Sequence, residues 1–454
     1  MQVRSTFRTW VLYIVFALPL TASTQTLLQQ FPPANELAFS VNLEVGEGLA
    51  LFFFGGRDST LTLWRTDGTP AGTRELRRFA SSTPPLHRLL VVDGQWFFGL
   101  SEHAVGAALW TSDGTTEGTQ PLAEFGRPPQ FLTAFRQEAY FIGSAPDTGP
   151  ELWKSDGGRL KAWLIQETMP GAEGGCRSIL GPAGNRLIFL AQHPRFGLEP
   201  WVTDGTRQGT MVLKDLCPGS CPAQIDNFTP AGDRAFFFLH PPGVSGQLWV
   251  TDGTASGTRM VKQLSGSGIF QGQERRAMLG ELLLFCGYSP EAGWELWRSD
   301  GTGEGTFQLT DLRPGPAGSF PGGMHATETR LFFTADDGQH GEELWVTDGT
   351  IAGTRLLADL NPGEASSAPQ QHRLSDGRLY FSADDGRRGR ELWASDRTAS
   401  GAELIADLVP GTLSGDPIRI TAFGRGVLFI AVDPTGRPCL WRYEPPEEEN
   451  TGEP

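Results

Sequence analysis

The feature that most constrains this chain is a tryptophan-centred sequence unit that recurs nine times in 454 residues. The first two steps between these tryptophans are 46 and 43 residues, and every later step is 48 residues. A fixed period in this range predicts a repeat architecture, because each unit is too small to bury its own apolar face and must pack on its neighbours. The nine residues are Trp64, Trp110, Trp153, Trp201, Trp249, Trp297, Trp345, Trp393 and Trp441.

One well-formed repeat divides into four short predicted strands. Strand A is predicted over residues 369–374, strand B over 378–383, strand C over 390–395 and strand D over 402–408. Turns rich in Gly, Asp and Pro separate the strands, and no segment between the turns combines helical length with helical periodicity. Four antiparallel strands in one repeat of 48 residues are typical of a β-propeller blade.

Apolar side chains occupy both faces of the predicted strands. Strand C carries adjacent pairs such as Leu344 and Trp345, and strand B carries runs such as Phe236, Phe237 and Phe238. Because neighbouring residues of a strand point to opposite faces, these runs bury both faces of the sheet. A two-sheet sandwich would leave one polar face on each sheet, whereas the blades of a ring are covered on both sides. The sequence therefore predicts an all-β propeller of four-stranded blades.

The two ends of the repeat region complement each other. The last repeat stops soon after strand C, at residues 441–443, and lacks a strand D. An unmatched N-terminal segment at residues 26–31 resembles a strand D, and residues 36–45 follow it as the first strand A. We therefore expect nine blades, with the ring closed by the N-terminal strand so that no sheet edge stays open. Eight blades are the alternative, since common propellers have four to eight.

Residues 1–23 have the pattern of a secretory signal peptide. Arg4 and Arg8 flank the start of a short apolar run over residues 10–20, and small residues follow it. The run is too short to span a bilayer comfortably. The expected organisation is a signal peptide at 1–23, a propeller domain at 24–443 and a disordered acidic tail at 444–454. The mature protein is expected to be secreted or held in the cell envelope, without a transmembrane segment.

Charge and cysteine content indicate which classes of partner and which cellular compartment fit this protein. The formal net charge of −15 disfavours nucleic acid and anionic membranes, because both require clustered Lys and Arg. The chain has five cysteines. Cys217 and Cys221 lie in one predicted loop and are expected to form a disulfide, with Cys176 as the rival partner. Cys286 and Cys439 fall on predicted strands and are expected to be buried thiols.

The strand C motif and its turn resemble the bacterial ELWxxDGT repeat family. The complete motif occurs at residues 295–302 and 343–350, and near copies begin at Glu151 and Glu391. The resemblance covers residues 49–441. It implies a secreted or surface-exposed propeller protein, and it brings no catalytic residues to this chain.

An Asp lies three residues after most of the tryptophans, in the predicted turn between strands C and D. An Asp-Gly pair between two strands indicates a turn, because the carboxylate accepts backbone N–H bonds and Gly tolerates positive φ. A structural role is therefore expected for these Asp residues, as for the tryptophans, with calcium or a sugar at each turn as the alternative. The set is Asp67, Asp113, Asp156, Asp204, Asp252, Asp300, Asp348 and Asp396, with Glu444 in the ninth place.

Two predicted B–C turns carry adjacent carboxylates, Asp336 with Asp337 and Asp384 with Asp385. Calcium needs six or more oxygen ligands, so a solvated turn is favoured and a calcium site is the alternative. The seven His residues form no pair at ligand spacing, and no grouping of nucleophile, His and acid stands out. No cofactor is therefore expected.

The predicted B–C turns vary from repeat to repeat, whereas the C–D turns hardly change. In a propeller the B–C and D–A loops share one face, and the A–B and C–D turns share the other. Variable loops on a rigid scaffold are where binding sites usually lie. The sequence favours a monomeric, non-catalytic binding or structural module for a protein or glycan at the cell envelope or outside it. The alternative is a carbohydrate-active enzyme, a hydrolase or lyase, with its site in the central depression.

Overall fold

The computed structural model of the protein describes residues 24–32, 37–56, 60–80, 89–157, 162–219, 221–265, 273–395 and 401–446. Within these ranges the chain forms strands β1 to β36 and a single 3-10 turn, Gln273–Arg275. The strands form nine four-stranded antiparallel sheets arranged in a ring. The protein is therefore an all-β, nine-bladed propeller, which confirms the predicted fold and excludes the eight-bladed alternative.

The strands of each blade follow one another in chain order, except in the last blade. Blade 1 comprises β2 (Leu37–Val45), β3 (Ala50–Gly56), β4 (Thr60–Thr66) and β5 (Arg74–Ala80); blade 2 comprises β6 (Leu90–Val92), β7 (Gln95–Glu102), β8 (Gly106–Ser112) and β9 (Gln120–Phe125); blade 3 comprises β10 (Arg127–Phe135), β11 (Glu138–Ala145), β12 (Gly149–Ser155) and β13 (Ala162–Gln166). Blade 4 comprises β14 (Cys176–Ala183), β15 (Arg186–His193), β16 (Gly197–Thr203) and β17 (Met211–Val212); blade 5 comprises β18 (Ile225–Ala231), β19 (Arg234–Leu239), β20 (Gln247–Thr251) and β21 (Arg259–Gln263); blade 6 comprises β22 (Arg276–Leu279), β23 (Leu282–Ser289), β24 (Gly293–Ser299) and β25 (Phe307–Gln308). Blade 7 comprises β26 (Gly322–Ala326), β27 (Leu331–Asp336), β28 (Glu342–Thr347) and β29 (Arg355–Ala358); blade 8 comprises β30 (Gln370–Ser375), β31 (Arg378–Asp384), β32 (Arg390–Ser395) and β33 (Ala402–Ala406); blade 9 comprises β34 (Ile418–Phe423), β35 (Gly426–Val432), β36 (Pro438–Glu444) and β1 (Thr24–Gln30).

The first strand of each blade, strand A, faces the central channel. Neighbouring A strands contact each other in ring order, and β34 of blade 9 contacts β2 of blade 1. Because strands alternate in direction, the B–C turns and D–A loops lie at one end of every blade, which we call the loop face. The A–B and C–D turns lie at the opposite end, which we call the turn face.

The N-terminal strand completes blade 9, as predicted. β1 pairs antiparallel with β36, and Thr24 lies opposite Glu444. The N–H of Phe31 then donates to the carbonyl of Pro438 at 2.9 Å. The Phe31 ring stacks on Phe54 of blade 1, with the ring centroids 3.9 Å apart. The N-terminal segment therefore closes the sheet of blade 9 and fills the seam between blades 9 and 1.

A Phe on strand B is the direct cross-strand partner of the repeat tryptophan in all nine blades. Directly opposed side chains on a sheet are close enough to pack, and aromatic pairs gain about 0.5–1.5 kcal/mol beyond the area that they bury. Their ring centroids lie 6.2 Å apart in blade 2 and 6.4 Å apart in blade 7. The pairs are Phe52–Trp64, Phe98–Trp110, Phe141–Trp153, Phe189–Trp201, Phe237–Trp249, Phe285–Trp297, Phe333–Trp345, Phe381–Trp393 and Phe429–Trp441.

Most A strands carry a β-bulge, which appears as a shift in their pairing register with strand B. A bulge re-aims side chains by inserting one extra residue. In five of these strands a residue at the bulge has a left-handed φ between 53° and 57°. For residues other than Gly this conformation costs about 1 kcal/mol or more, so the surrounding sheet must enforce it. The five bulge residues with a left-handed φ are Phe131, Asn227, Gly323, Gln371 and Arg419.

The observed strand bounds differ from the predicted ones by one or two residues at several ends; β30 covers 370–375 rather than 369–374, and β1 covers 24–30 rather than 26–31. Strand D of blade 8 ends at Ala406 rather than 408, because the N–H of Leu408 donates to the Glu391 carboxylate instead of to the sheet. β36 extends to Glu444, one residue into the predicted tail, because Glu444 pairs with β1. The predicted signal peptide at 1–23 and tail residues 447–454 lie outside the described residues.

Candidate ligand site in the central channel

In six blades the C–D turn is closed by a hydrogen-bond network around its Asp. In blade 7, Oδ1 of Asp348 accepts the N–H of Thr350 at 2.9 Å and its hydroxyl at 2.6 Å. The Thr350 hydroxyl accepts the N–H of Gly353 at 3.0 Å, and the hydroxyls of Thr347 and Thr354 lie 2.7 Å apart. A Cβ on Gly353 would collide with the Asp348 carboxylate, so the turn requires glycine there. The same Asp contacts occur at Asp67, Asp113, Asp204, Asp252 and Asp300.

These contacts favour the ionised form of the turn carboxylates. The hydroxyl and the N–H of Thr350 hold the pKa of Asp348 below its usual range, and Thr302 does the same for Asp300. Each of these carboxylates therefore closes its own turn. Asp396, which the sequence places in the same role, lies outside the described residues.

The acid pair in the B–C turn of blade 7 is engaged by its own surroundings. Asp336 forms an ion pair with Arg313, with Nη1 and Oδ2 2.6 Å apart. Asp337 accepts the N–H groups of Gln339 and His340 at 2.9 Å, and Nδ1 of His340 lies 2.8 Å from its second oxygen. Burial acts to raise the pKa of Asp337, but these hydrogen bonds outweigh it and hold the pKa below its usual range.

The equivalent turn of blade 8 is built in the same way. Asp384 accepts the N–H of Gly386 at 2.8 Å, and Asp385 accepts the N–H groups of Arg387 and Arg388. The Arg388 guanidinium also lies 2.6 Å from the second oxygen of Asp385. Across the ranges that the structure describes, no group of three or more His, Cys, Asp or Glu side chains is placed to hold a metal ion.

A buried glutamate anchors the D–A loop in five blades, a role that the sequence analysis did not identify. In blade 6, the fully buried Glu295 accepts the N–H groups of Leu312, Arg313 and Ser319 at 3.1–3.2 Å. The hydroxyls of Thr310 and Ser319 also donate to it, at 3.1 and 2.8 Å. The five glutamates are Glu151, Glu199, Glu295, Glu343 and Glu391, and each has no exposed surface.

Burial controls the electrostatics of these glutamates. It raises the pKa of Glu199 and of Glu391 to about 7, although backbone N–H groups that donate to each carboxylate oppose the shift. Burial likewise raises the pKa of Glu295 and Glu343. Because one glutamate ties several loop amides to strand C, the D–A loops of these blades belong to the scaffold. The B–C turns are then the variable part of the loop face.

The disulfide between Cys217 and Cys221 lies in the D–A loop that follows blade 4, with the two Cα atoms 5.4 Å apart. The N–H of Cys217 also donates to the buried Glu199, at 3.0 Å. Cys176, Cys286 and Cys439 are free and buried. The predicted pairing is therefore confirmed, and Cys176 is excluded as the rival partner.

A cavity of about 240 Å³ lies in the central channel. Blades 1, 7, 8 and 9 line it with residues of their A strands, and blade 6 contributes the 3-10 turn before its A strand. Its lining extends from Gln371 and Arg419, the second residues of β30 and β34, to Glu44, the last but one residue of β2, so the cavity lies within the channel between the two faces. A second depression, of about 600 Å³, lies on the turn face between the A–B turns of blades 7 and 8. The charged and imidazole side chains that line the channel cavity are Glu44, Glu274, His325, His372, Arg373 and Arg419.

The most unusual of these side chains is His372. It is 4% exposed, and neither ring nitrogen has a hydrogen-bond partner among the described residues. Its ring stacks on Phe381 with centroids 6.1 Å apart and lies 5.7 Å from the ring of His325. Burial lowers the pKa of His372 to about 3, so the imidazole is neutral near pH 7. A Cβ on Gly323 would lie 2.5 Å from the His372 ring, so glycine at that bulge provides the space for the ring.

Hydrogen bonds join blades 8 and 9 at the cavity wall. The N–H of Arg419 donates to Oε1 of Gln371 at 3.0 Å, which links the two left-handed bulges. Nε of Arg373 donates to the carbonyl of Ile420 at 3.2 Å. These bonds hold the bulged residues in place, so the cavity wall is preformed.

The fold places the protein in the class of β-propellers, whose members differ widely in ligands and activities. Comparison with protein-family models gives no match for this chain, and comparison with curated proteins gives none either.

Several solved structures are similar in fold. The computationally designed Ika8 protein has 14% identity and a TM-score of 0.43, over 79% of this chain and 97% of that one. A structure from a study of two prolyl endopeptidases has 9% identity and a TM-score of 0.44, over 88% of this chain and 55% of that one. A puromycin hydrolase has 14% identity and a TM-score of 0.36, over 78% of this chain and 58% of that one. This chain thus spans less than two thirds of the length of these two proteins, and the similarities assign it no activity.

No helix within the described ranges is long and apolar enough to cross a membrane.

Proposed function

We propose that the protein is a non-catalytic binding module that holds a glycan or a protein on its loop face, outside the inner membrane. The observation that carries the proposal is the make-up of this face. Variable B–C turns bearing aromatic and basic side chains stand on an anchored scaffold around a polar channel.

The B–C turns of blades 4 and 6 illustrate the recognition groups. His193 stacks on Phe196 with ring centroids 5.1 Å apart, and the Arg195 guanidinium lies 5.2 Å from the Phe196 ring. In blade 6, Tyr288 and Trp294 flank the turn with centroids 5.2 Å apart. Planar side chains beside a cation suit protein interfaces and cation–π contacts.

Rigidity of the scaffold supports binding, because a preorganised surface loses less conformational entropy when a ligand is held. The buried glutamates supply that rigidity to the D–A loops, as Glu295 does with five hydrogen bonds. The Cys217–Cys221 disulfide is in keeping with an oxidising compartment. Export by a signal peptide at 1–23, and membership of the ELWxxDGT repeat family, are parts of the same proposal.

A carbohydrate-active enzyme is the second candidate, and one observation favours it. Glu44 and Glu274 both line the channel cavity, and most glycoside hydrolases use two carboxylates that flank the scissile bond. The same lining carries Arg373 and Arg419, so the cavity has no surplus of carboxylates. This balance of charge supports the binding function.

The proposal is tested by measuring binding of the purified protein to an array of defined oligosaccharides and purified envelope proteins. The double change Arg195→Ser with Phe196→Ser should weaken capture at least about tenfold while leaving the melting temperature within a few degrees, since changes in exposed turns are usually mild. Ile351→Ser is the matched control on the turn face, where Ile351 is 71% exposed. This control should bind like the wild type.

Two results would contradict the proposal. Binding that survives the blade 4 changes and is lost in Ile351→Ser would place the site on the turn face. Repeated turnover of an oligosaccharide would establish the enzyme and overturn the non-catalytic function.

A further inference from the structure

We propose that the disulfide between Cys217 and Cys221 is a redox-sensitive control of the loop face. The oxidised form orders the D–A loop between blades 4 and 5. A dithiol reductant that opens the disulfide loosens this loop and the two B–C turns beside it. The inference rests on the proposed function, because it names a control over ligand binding at the same face.

In four blades one residue near the end of the D–A loop makes a pair of hydrogen bonds that fixes the loop. In blade 6 the N–H of Ser319 donates to the buried Glu295 at 3.1 Å, and its carbonyl accepts the N–H of Asp336 at 3.0 Å. Asp336 is the last residue before the B–C turn of blade 7. Ser319 therefore links strand C of one blade to the B–C turn of the next. The same pair of bonds is made by Gly175, Ser367 and Gly415 in the loops after blades 3, 7 and 8.

The loop after blade 4 is built differently at this point. Ala223 occupies the equivalent position, and its N–H donates to the carbonyl of Leu198 at 2.8 Å without a bond to Glu199 among the described residues. The N–H of His240 is accepted by the carbonyl of Gln224 at 3.0 Å, one residue further along than in the other loops. The pair of bonds that fixes four other loops is therefore not made by Ala223.

The disulfide supplies a connection in the same part of the loop. Glu199 accepts the N–H groups of Leu216 and Cys217, at 2.8 and 3.0 Å, and so holds the start of the loop. The bond from Cys217 to Cys221 extends that attachment to within two residues of Ala223. We infer that the covalent link replaces the hydrogen bond that the glutamate accepts from the end of the loop in the other blades.

Reduction should act on the loop and not on the whole ring. The sequence separation of the two cysteines is only 4 residues, and a cross-link that closes a short loop restricts the unfolded chain little. Both cysteines are half-buried, whereas Cys176, Cys286 and Cys439 are buried. The disulfide is therefore the part of the cysteine set that a reductant in solution can reach.

The reaction is a thiol–disulfide exchange with a dithiol, such as a dithiol oxidoreductase of the cell envelope. One thiolate of the reductant attacks a sulfur of the loop, forms a mixed disulfide and releases the other cysteine as a thiolate. The second thiol of the reductant then displaces the remaining cysteine. The loop gains two electrons and two protons and carries two thiols, and the reductant becomes a disulfide. A disulfide oxidant reverses both steps.

The loop is bonded to both variable turns that flank it. Ala223 bonds to Leu198, which lies two residues after Phe196 of the blade 4 turn, and Gln224 bonds to His240 at the start of the blade 5 turn. A loop that loses its order leaves these turns less fixed, so a ligand must remove more conformational entropy when it binds. The reduced protein should therefore bind its loop-face ligand more weakly.

The test compares the full chain before and after treatment with dithiothreitol. Amide hydrogen exchange at Ala223 and His240 should become at least about tenfold faster on reduction, because the loop opens locally. The Ser367 amide, in the loop after blade 7 that has no disulfide, is the internal control and should stay within about twofold. The melting temperature should fall by only a few degrees, since the closed loop is short.

Binding is measured on the array of defined oligosaccharides and purified envelope proteins. Reduction should raise the Kd of the ligand that the oxidised protein captures at least about fivefold, and reoxidation should restore it. The double change Cys217→Ser with Cys221→Ser should bind like the reduced protein and should not respond to dithiothreitol.

Ala223→Ser tests whether the disulfide replaces the missing hydrogen bond. The new hydroxyl corresponds to that of Ser319, which donates to Glu295 at 2.8 Å. In this variant the exchange at His240 should rise less than about threefold on reduction, because the glutamate now holds the end of the loop. A variant loop that opens as far as the wild-type loop would refute the replacement.

The outcomes separate this inference from the proposed function. Unchanged exchange at Ala223 and His240 after reduction, or unfolding of the whole ring, would overturn the redox-sensitive control. Faster exchange with an unchanged Kd would also overturn it and would leave the proposed function intact. An oxidised protein that captures nothing on the array would overturn the proposed function, and the control of binding with it.

Discussion

Replacing Glu295 with alanine should strongly destabilise the D–A loop between blades 6 and 7. The change leaves the N–H groups of Leu312, Arg313 and Ser319 without their acceptor, while the two donating hydroxyls can turn to other partners. At about 1 kcal/mol or more for each backbone donor, the expected loss in the free energy of unfolding is about 3–5 kcal/mol. Glu295→Gln keeps one carbonyl oxygen and should cost about 1–2 kcal/mol.

Urea unfolding followed by tryptophan fluorescence at pH 8 measures these losses, and hydrogen exchange at the Ser319 amide reports on the loop itself. Glu304→Ala, in the exposed C–D turn of the same blade, is the control and should stay within about 0.5 kcal/mol of the wild type. An unchanged urea midpoint in Glu295→Ala, with Ser319 still protected, would refute the anchoring role of the glutamate.

Further predictions concern the seam, the turns and the pH dependence of stability. Phe31→Ala removes the ring that stacks on Phe54 and should cost about 3–5 kcal/mol; an unchanged melting temperature would show that the N-terminal segment does not hold the seam. Asp348→Ala should cost about 1 kcal/mol through lost turn bonds, and a calcium-induced rise in the melting temperature that only the wild type shows would contradict the structural role of the turn. The free energy of unfolding should fall between about pH 5 and pH 8, because burial raises the pKa of Glu199 and Glu391 from 4.5 to about 7. Since the folded pKa lies above the unfolded one, this stabilisation is complete below pH 4.5 and is lost as the pH rises through about 7. Glu391→Gln should flatten that slope, and a stability that increases over the same range would show that the sign is wrong.

The number of blades could be predicted because the tryptophan that identifies each repeat in the sequence is also part of the hydrophobic core of the blade. Trp345 is 8% exposed and faces Phe333 across the sheet, so its apolar character and its spacing have the same origin. Closure of the ring was predictable for a related reason. A last repeat without a strand D requires a strand from elsewhere, and the N-terminal segment has the matching pattern.

The anchoring glutamates could not be predicted from the motif alone. A charged residue on a strand is ordinarily exposed. The groups that keep Glu343 buried are the N–H groups of Leu360 and Ser367, 17 and 24 residues further along the chain. One signal was available, since Pro362 and Gly363 recur at the repeat period as Pro314 and Gly315. A D–A loop whose sequence recurs at the repeat period is expected to be bound at the same position of each blade.

The channel site depends on irregular backbone that periodicity does not reveal. A bulge shifts the register of β30 between Gln370 and Arg373, so simple alternation of faces fails at His372. The space for its ring is provided by Gly323 on the neighbouring blade. A contact between blades that depends on a bulge has no signature in a single repeat.

The strand that completes blade 9 is made early in translation, and its partner is made at the end. The side chain of Gln30 bonds to Asp433, 403 residues away. A growing chain therefore carries β1 without a partner until almost every other blade has been synthesised. During that interval β1 can pair with an exposed strand of another nascent chain. Premature termination before β36 would make this condition permanent, so truncated products should exchange strands or aggregate rather than persist as smaller rings.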